Sequence, residues 1–185
     1  LVELEKHGLP ITLSVNISPT QLYDNHLLPS LKLLSETYSM PLNRVELELT
    51  EDVALSNSLM VKKQLDELRA MGIAISVDDF GKGYSNLAYI RDLDLTALKI
   101  DKTFVMELTD HPVNRAIIEA ANIIGKAKGC AVIAEGVETI EQKQILAAMD
   151  CDLFQGYLFS KPLPGNEATR YLRAQAQITE AAQLV

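Results

Sequence analysis

The sequence contains no tryptophan, only two cysteines and only three histidines. Cys130 and Cys151 are far apart and form no CxxC pair, so reduced core thiols are expected rather than a disulfide or a thiolate metal pair. His7, His26 and His111 lie in loop-like, proline-flanked or chain-end contexts, which makes them poor candidates for ligands. Basic charge is short too: 17 Lys and Arg stand against 25 Asp and Glu, a net charge of −8. No basic field exists to gather a phosphate backbone, so nucleic acid is not an expected partner. A small phosphate-bearing ligand held through bound cations stays open. No apolar run approaches the ~20 residues that span a bilayer, so no membrane contact is expected of this domain.

What is present is the pattern of a packed domain. The 185 residues are 48% hydrophobic, enough for one sizeable core. No linker or residue-level repeat interrupts them, so residues 1–185 are read as a single domain. The runs "ITLSVNIS" (Ile11–Ser18), "RVELELTE" (Arg44–Glu51), "IAISVDD" (Ile73–Asp79), "TALKID" (Thr96–Asp101) and "CAVIAEG" (Cys130–Gly136) read as strands. A short sixth lies within "CDLFQGYLFSKP". Helical spacing separates them. It covers Leu27–Leu34, then Leu59–Met71 with Asn57 or Ser58 as cap and Gly72 as stop. A further helix runs from Pro112 to a stop at Gly129, with Gly125 inside it. A capping box at Thr139–Gln142 opens Ile140–Met149, and a last helix covers about Glu167–Gln183. This alternation predicts an α/β fold with a parallel sheet, open or closed into a barrel.

Each strand ends in a polar side chain: Asn16, Glu48, Asp78 with Asp79, Lys99 with Asp101, Glu135 and Gln155. Parallel strands point one way, so these groups converge on one rim, the face that carries active sites in such folds. Glu48, Asp78, Asp79, Glu135 and Glu138 would put five carboxylates in one cavity, which repel one another unless a cation intervenes. Oxygen donors without cysteine or histidine favour Mg²⁺, Mn²⁺ or Ca²⁺ over zinc. Two such ions suit phosphodiester hydrolysis. Lys99, between apolar neighbours, can orient a water or stabilise phosphate charge; it can also be a structural partner of Asp101. Asn16 can simply form an Asx turn, Glu48 can face solvent, Glu51 can favour a helix start, and Asp78-Asp79 can be a turn. "DFG" (Asp79–Gly81) lacks the HRD loop of a protein kinase, and "GKGYSN" lacks the last glycine of a dinucleotide fingerprint.

The segments "VNISPTQL", "ELELTED", "SVDDFGKGYSNL", "LKID", "AEGVET" and "FQGYLFSKPLP" together resemble the EAL domain, a bacterial phosphodiesterase family that cleaves cyclic di-GMP to linear pGpG. The resemblance implies a TIM-like (β/α) barrel with one antiparallel strand. It implies Mg²⁺ or Mn²⁺ as cofactor, with two ions and inhibition by Ca²⁺. Asn16, Glu48, Asp78 and Asp79 match metal ligands, with Asp78 shared by both ions. Glu135 matches an acidic residue of the second metal or of base chemistry. Lys99 matches the lysine at the hydrolytic water or phosphate, and Glu138 and Gln155 match residues needed for a productive site. Glu51 matches the glutamate that anchors the loop Phe80, Gly81, Lys82, Gly83 and onward to Asn86.

Family members dimerise and are attached to sensor or diguanylate-cyclase modules. A homodimer, such modules and a cytoplasmic location, in some cases within a membrane-anchored protein, are therefore the expected context. A non-catalytic cyclic di-GMP receptor is the alternative function. Two departures bear on this. The family's E-x-L strand lies well before the position of Asn16, yet only Leu1–Val15 precede it here and "EAL" is absent. The expectation is a barrel incomplete at its N-terminus, part of a longer protein, with exposed strand edges and little activity on its own. The usual loop reads DFG(T/A)GYSS, whereas Lys82 and Asn86 stand here. Lys82 is expected to pair with Glu51 or with a nearby ligand.

Overall fold

Six runs rich in branched residues form one sheet in a computed structural model of the chain. The structure describes residues 1–6, 8, 9, 11–51, 59–83, 87–151 and 153–182, without the side chains of 87–89 and 177–182. The expected caps Asn57 and Ser58, and Asn86, lie outside the described residues. The strands are β1 (Leu13–Ile17), β2 (Val45–Thr50), β3 (Ala74–Phe80), β4 (Ala97–Ile100), β5 (Ala131–Ala134) and β6 (Leu153–Phe154). Nine α-helices accompany them among the described residues: α1 (Val2–Lys6), α2 (Pro19–Leu22), α3 (Leu27–Tyr38), α4 (Leu59–Ala70), α5 (Leu87–Asp92), α6 (Lys102–Met106), α7 (Pro112–Lys128), α8 (Ile140–Ala148) and α9 (Gly165–Ala182).

The sheet order is β1-β2-β3-β4-β5-β6, and every neighbouring pair is parallel. Sequential order has a physical consequence. With right-handed crossovers, each helix lands on the same face of the sheet. A doubly wound sheet needs a reversal of strand order, and there is none here. The arrangement is the wall of a (β/α) barrel. The expected antiparallel strand is not among the described strands, and the sheet is not closed. Leu13 and Val15 on β1 and Leu153 on β6 are accordingly exposed at its two edges.

Strand alternation sorts the side chains. Val45, Leu47, Leu49, Ile75, Val77, Leu98 and Ile100 are buried in the core, which also includes Val61, Leu65, Leu68, Ile118 and Leu146 from the helices. Each fully buried Leu or Ile contributes about 1.5–3 kcal/mol. The opposite face is polar. There Glu46 accepts hydrogen bonds from Ser14 (3.2 Å), Ser76 (3.0 Å) and Thr96 (3.3 Å). Gly125 interrupts α7 for a reason of space: a Cβ there would lie 2.2 Å from Cγ2 of Val132 on β5. The glycine lets helix and sheet approach at the cost of some helix propensity.

The observed strands are a residue or more shorter than the apolar runs suggest, with β3 the exception. It continues through Phe80 because of a register shift between Val77 and Phe80 against β4. The extra residue is a bulge, and Asp79 takes a positive φ of 56° within it. Aspartate tolerates that region better than most side chains. Four short helices, α1, α2, α5 and α6, were not expected. Asp101 caps α6 by accepting from the Thr103 backbone N–H at 2.8 Å.

Candidate active site

The bulge determines what the two aspartates face. Ser76 and Asp78 alternate onto the polar face, beside Glu48 and Thr50 of β2. A regular strand would next send Asp79 to the helix layer and Phe80 to the polar face. The added residue instead buries Phe80 opposite Ile100 and frees Asp79 to lie at the rim. Adjacent carboxylates are thereby separated.

Lys99 is the centre of the inner group. Its ammonium donates to Glu48 Oε1 at 2.7 Å, stands 2.7 Å from Glu135 Oε1, and lies 3.7 Å from Asp78 Oδ1. Only 4% of the Lys99 side chain is exposed. Burial works hardest against its charge, but the hydrogen bonds to Glu135 and Glu48 outweigh it and hold its pKa above the ordinary lysine value. Burial pushes the Glu135 carboxyl up, and Lys99 offsets this only in part. Asp78 Oδ1 is buried without a hydrogen bond.

A second group lies outside it. The Lys82 ammonium sits 2.7 Å from Asp101 Oδ2 and 3.0 Å from Asp79 Oδ1. The Asp101 carboxyl raises the pKa of Asp79 first, then burial does, against the pull of Lys82. Asp101 itself is held below the usual carboxylate range: burial opposes this, but Lys82 and Thr103 prevail. Glu51, 3% exposed, supports the intervening backbone. Its Oε2 accepts from the N–H of Gly81 at 3.0 Å and of Gly83 at 3.2 Å. Gly81 has φ 98°, and a Cβ would lie 2.8 Å from the Phe104 ring. Both the torsion and the space require glycine.

Not every expected residue joins these groups. Asn16 is exposed on edge strand β1, in register with Glu48. Glu138 is exposed in the loop after β5, and Gln155 is exposed after β6, its backbone N–H donating to Ala134 O at 2.9 Å. Two pairings that the sequence left open are decided. Lys99 binds Glu48 and Glu135 rather than Asp101, because the strand ends at Ile100 and Asp101 lies beyond it with its carboxylate turned to cap α6. Lys82 binds Asp79 and Asp101 rather than Glu51, whose described bonds go to the loop's backbone. Glu46 was missed, although its place two residues before Glu48 puts it on the same face.

The donors fit a hard divalent cation. They are carboxylate and amide oxygens, and a buried Asp78 oxygen accepts no hydrogen bond. Among the described residues, no three acidic, His or Cys side chains are gathered tightly enough to hold an ion as they stand. Lysine ammoniums occupy the space between the carboxylates instead.

The family model of the EAL domain matches residues 1–162. This chain belongs to the EAL domain family. The cyclic di-GMP phosphodiesterase PA2567 of Pseudomonas aeruginosa is 35% identical over 173 residues, covering 94% of this chain and 30% of that protein. The crystal structure of the EAL domain of Mycobacterium smegmatis DcpA superimposes with a TM-score of 0.86 at 33% identity, covering 94% of this chain and 78% of that one. Klebsiella pneumoniae BlrP1, in a manganese and cyclic di-GMP complex, superimposes with a TM-score of 0.76 at 27% identity, covering 87% of this chain and 44% of that one. The EAL domain here spans less than a third of the length of PA2567. No helix among its described residues is long and apolar enough to cross a membrane.

Proposed function

We propose that this EAL domain hydrolyses one phosphodiester bond of cyclic di-GMP to give linear pGpG. The observation that carries the proposal is the buried Lys99 between Glu48, Asp78 and Glu135 at the strand ends. A buried ammonium among three carboxylates costs folding energy, and such groupings concentrate at functional sites. PA2567 is named for the same activity, and BlrP1 was solved with cyclic di-GMP and manganese.

Asn16, Glu48, Asp78, Asp79 and Glu135 are the residues that would hold two Mg²⁺ or Mn²⁺ ions. When bound, the ions would supply positive charge against the phosphate and acidify a water. The chain's own part is positioning. Lys99 has three N–H donors, two of them directed at Glu48 and Glu135. The third is available to orient the attacking water or a phosphate oxygen. Glu135, where it does not ligate an ion, is the proposed base, since it stands 2.7 Å from the Lys99 ammonium that can orient the water. Glu138 and Gln155, on neighbouring loops, are proposed to complete the site when substrate is present. The wider context follows the family: a homodimer, and sensor or diguanylate-cyclase modules elsewhere in the protein.

The Lys82 clasp on Asp79 favours one other function, a cyclic di-GMP receptor without turnover. Incubating the protein with cyclic di-GMP and Mn²⁺, then resolving the nucleotides, separates the two. Accumulation of pGpG supports the phosphodiesterase; tight binding without product supports the receptor, and neither binding nor product contradicts both.

A further inference from the structure

The outer group has an arrangement that the inner one lacks. Asp101 is almost wholly enclosed, with 2% of its side chain exposed. Its Oδ1 accepts from both the backbone N–H and the hydroxyl of Thr103. Oδ2 is left for a cation, and the Lys82 ammonium takes it at 2.7 Å. The same ammonium covers Asp79 Oδ1 at 3.0 Å. Lys82 therefore fills the position a divalent ion would need in order to bind the Asp79 carboxylate.

Two further features determine how it fills that position. The Lys82 side chain is 46% exposed, so its four-carbon stem can carry the charge into solvent. Its backbone is held: Lys82 N–H donates to Asp79 O at 3.2 Å, and Glu51 holds Gly81 and Gly83 on either side. A mobile head on an anchored backbone stays near its carboxylates at high effective concentration.

We propose that Lys82 is a tethered competitor for the outer cation of this site. The ammonium covers Asp79 Oδ1 and its charge repels an ion arriving there, so the ion binds Asp79 at full strength only once the Lys82 head has moved into solvent. Affinity for that ion is lower than the oxygen donors alone would give, and occupancy becomes graded with divalent-ion concentration. The inference rests on the two-ion site proposed above. Lys99 is not a second case: it is enclosed, and it bridges carboxylates from which it has no open path.

The test is a Mn²⁺ titration of the protein, with free ion counted by electron paramagnetic resonance and no substrate present. Lys82→Met keeps the stem and removes the charge; Lys82→Arg keeps the charge. The proposal predicts that Lys82→Met tightens the weaker ion about tenfold or more, while Lys82→Arg stays within about threefold of wild type. A Lys82→Met affinity within about twofold of wild type, or a weaker one, overturns it, because charge removal must then be irrelevant or harmful to the ion. Failure of the underlying two-ion site appears differently: no protein binds a second Mn²⁺, and both ideas fall together.

Discussion

Lys99 and Lys82 each bridge carboxylates on the same rim, one with 4% of its side chain exposed and the other with 46%. Lys99 arises from the middle of a sheet strand, where alternation aims it at Glu48 and Glu135. Lys82 arises from a turn after a bulge and reaches Asp79 and Asp101 from the side. Desolvation separates their roles. A buried ammonium cannot leave without stranding buried carboxylates, so Lys99 belongs to the frame of the site. A half-exposed one regains its own hydration by moving into water, and an incoming ion can take over the charge it leaves beside Asp79 and Asp101, so Lys82 is replaceable.

The largest effect is expected at Lys99. In the presence of a chelator, Lys99→Ala should lower unfolding free energy by about 3–5 kcal/mol in urea melts, since Glu48 and Glu135 lose a buried partner. A change below about 1 kcal/mol would place Lys99 with the exposed pairs instead. Next comes Glu51→Gln, which keeps the shape and weakens two charge-assisted bonds to the loop. About 1.5–3 kcal/mol of local stability should be lost, seen as faster hydrogen exchange at the Gly81 and Gly83 amides. Unchanged exchange would mean that the loop does not need the carboxylate.

The smallest effect concerns acid stability. Asp101 is held below its unfolded value, so its contribution is complete above the ordinary aspartate range and declines as pH falls below about 4. Asp101→Asn retains the oxygen that caps α6 but removes the charge facing Lys82. Its melts should show a shallower loss of stability below about pH 4, with a difference of up to about 1 kcal/mol from wild type at neutral pH. An identical acid slope would show that the pairing contributes nothing.

Much of this comparison was legible in the sequence. The strands could be read because each apolar run ends in a polar residue, and Lys99 because a lysine within "TALKID" needs carboxylates nearby. Glu51 was assigned to the loop by resemblance, and it does bind that loop's backbone. The bulge at Asp79 was hidden, since an extra residue has meaning only against the partner strand. The same bulge decides which of the two expected kinds of partner Lys82 takes. Its ammonium reaches Asp101, distant in sequence and brought close by the register shift. Glu46 was overlooked although alternation with Glu48 and Thr50 marked it as facing the barrel. The short helices escaped because four to six residues carry too little periodicity.

Asp78 tests the proposed chemistry most directly. It provides a buried oxygen without a hydrogen bond, next to the frame lysine and four residues before the displaceable one. Asp78→Asn preserves its size and removes only charge. With the protein at saturating Mn²⁺ and cyclic di-GMP, the rate of pGpG formation should fall at least about a hundredfold while the thermal melt stays near wild type. Wild-type rates from Asp78→Asn would contradict a catalytic site built around this carboxylate.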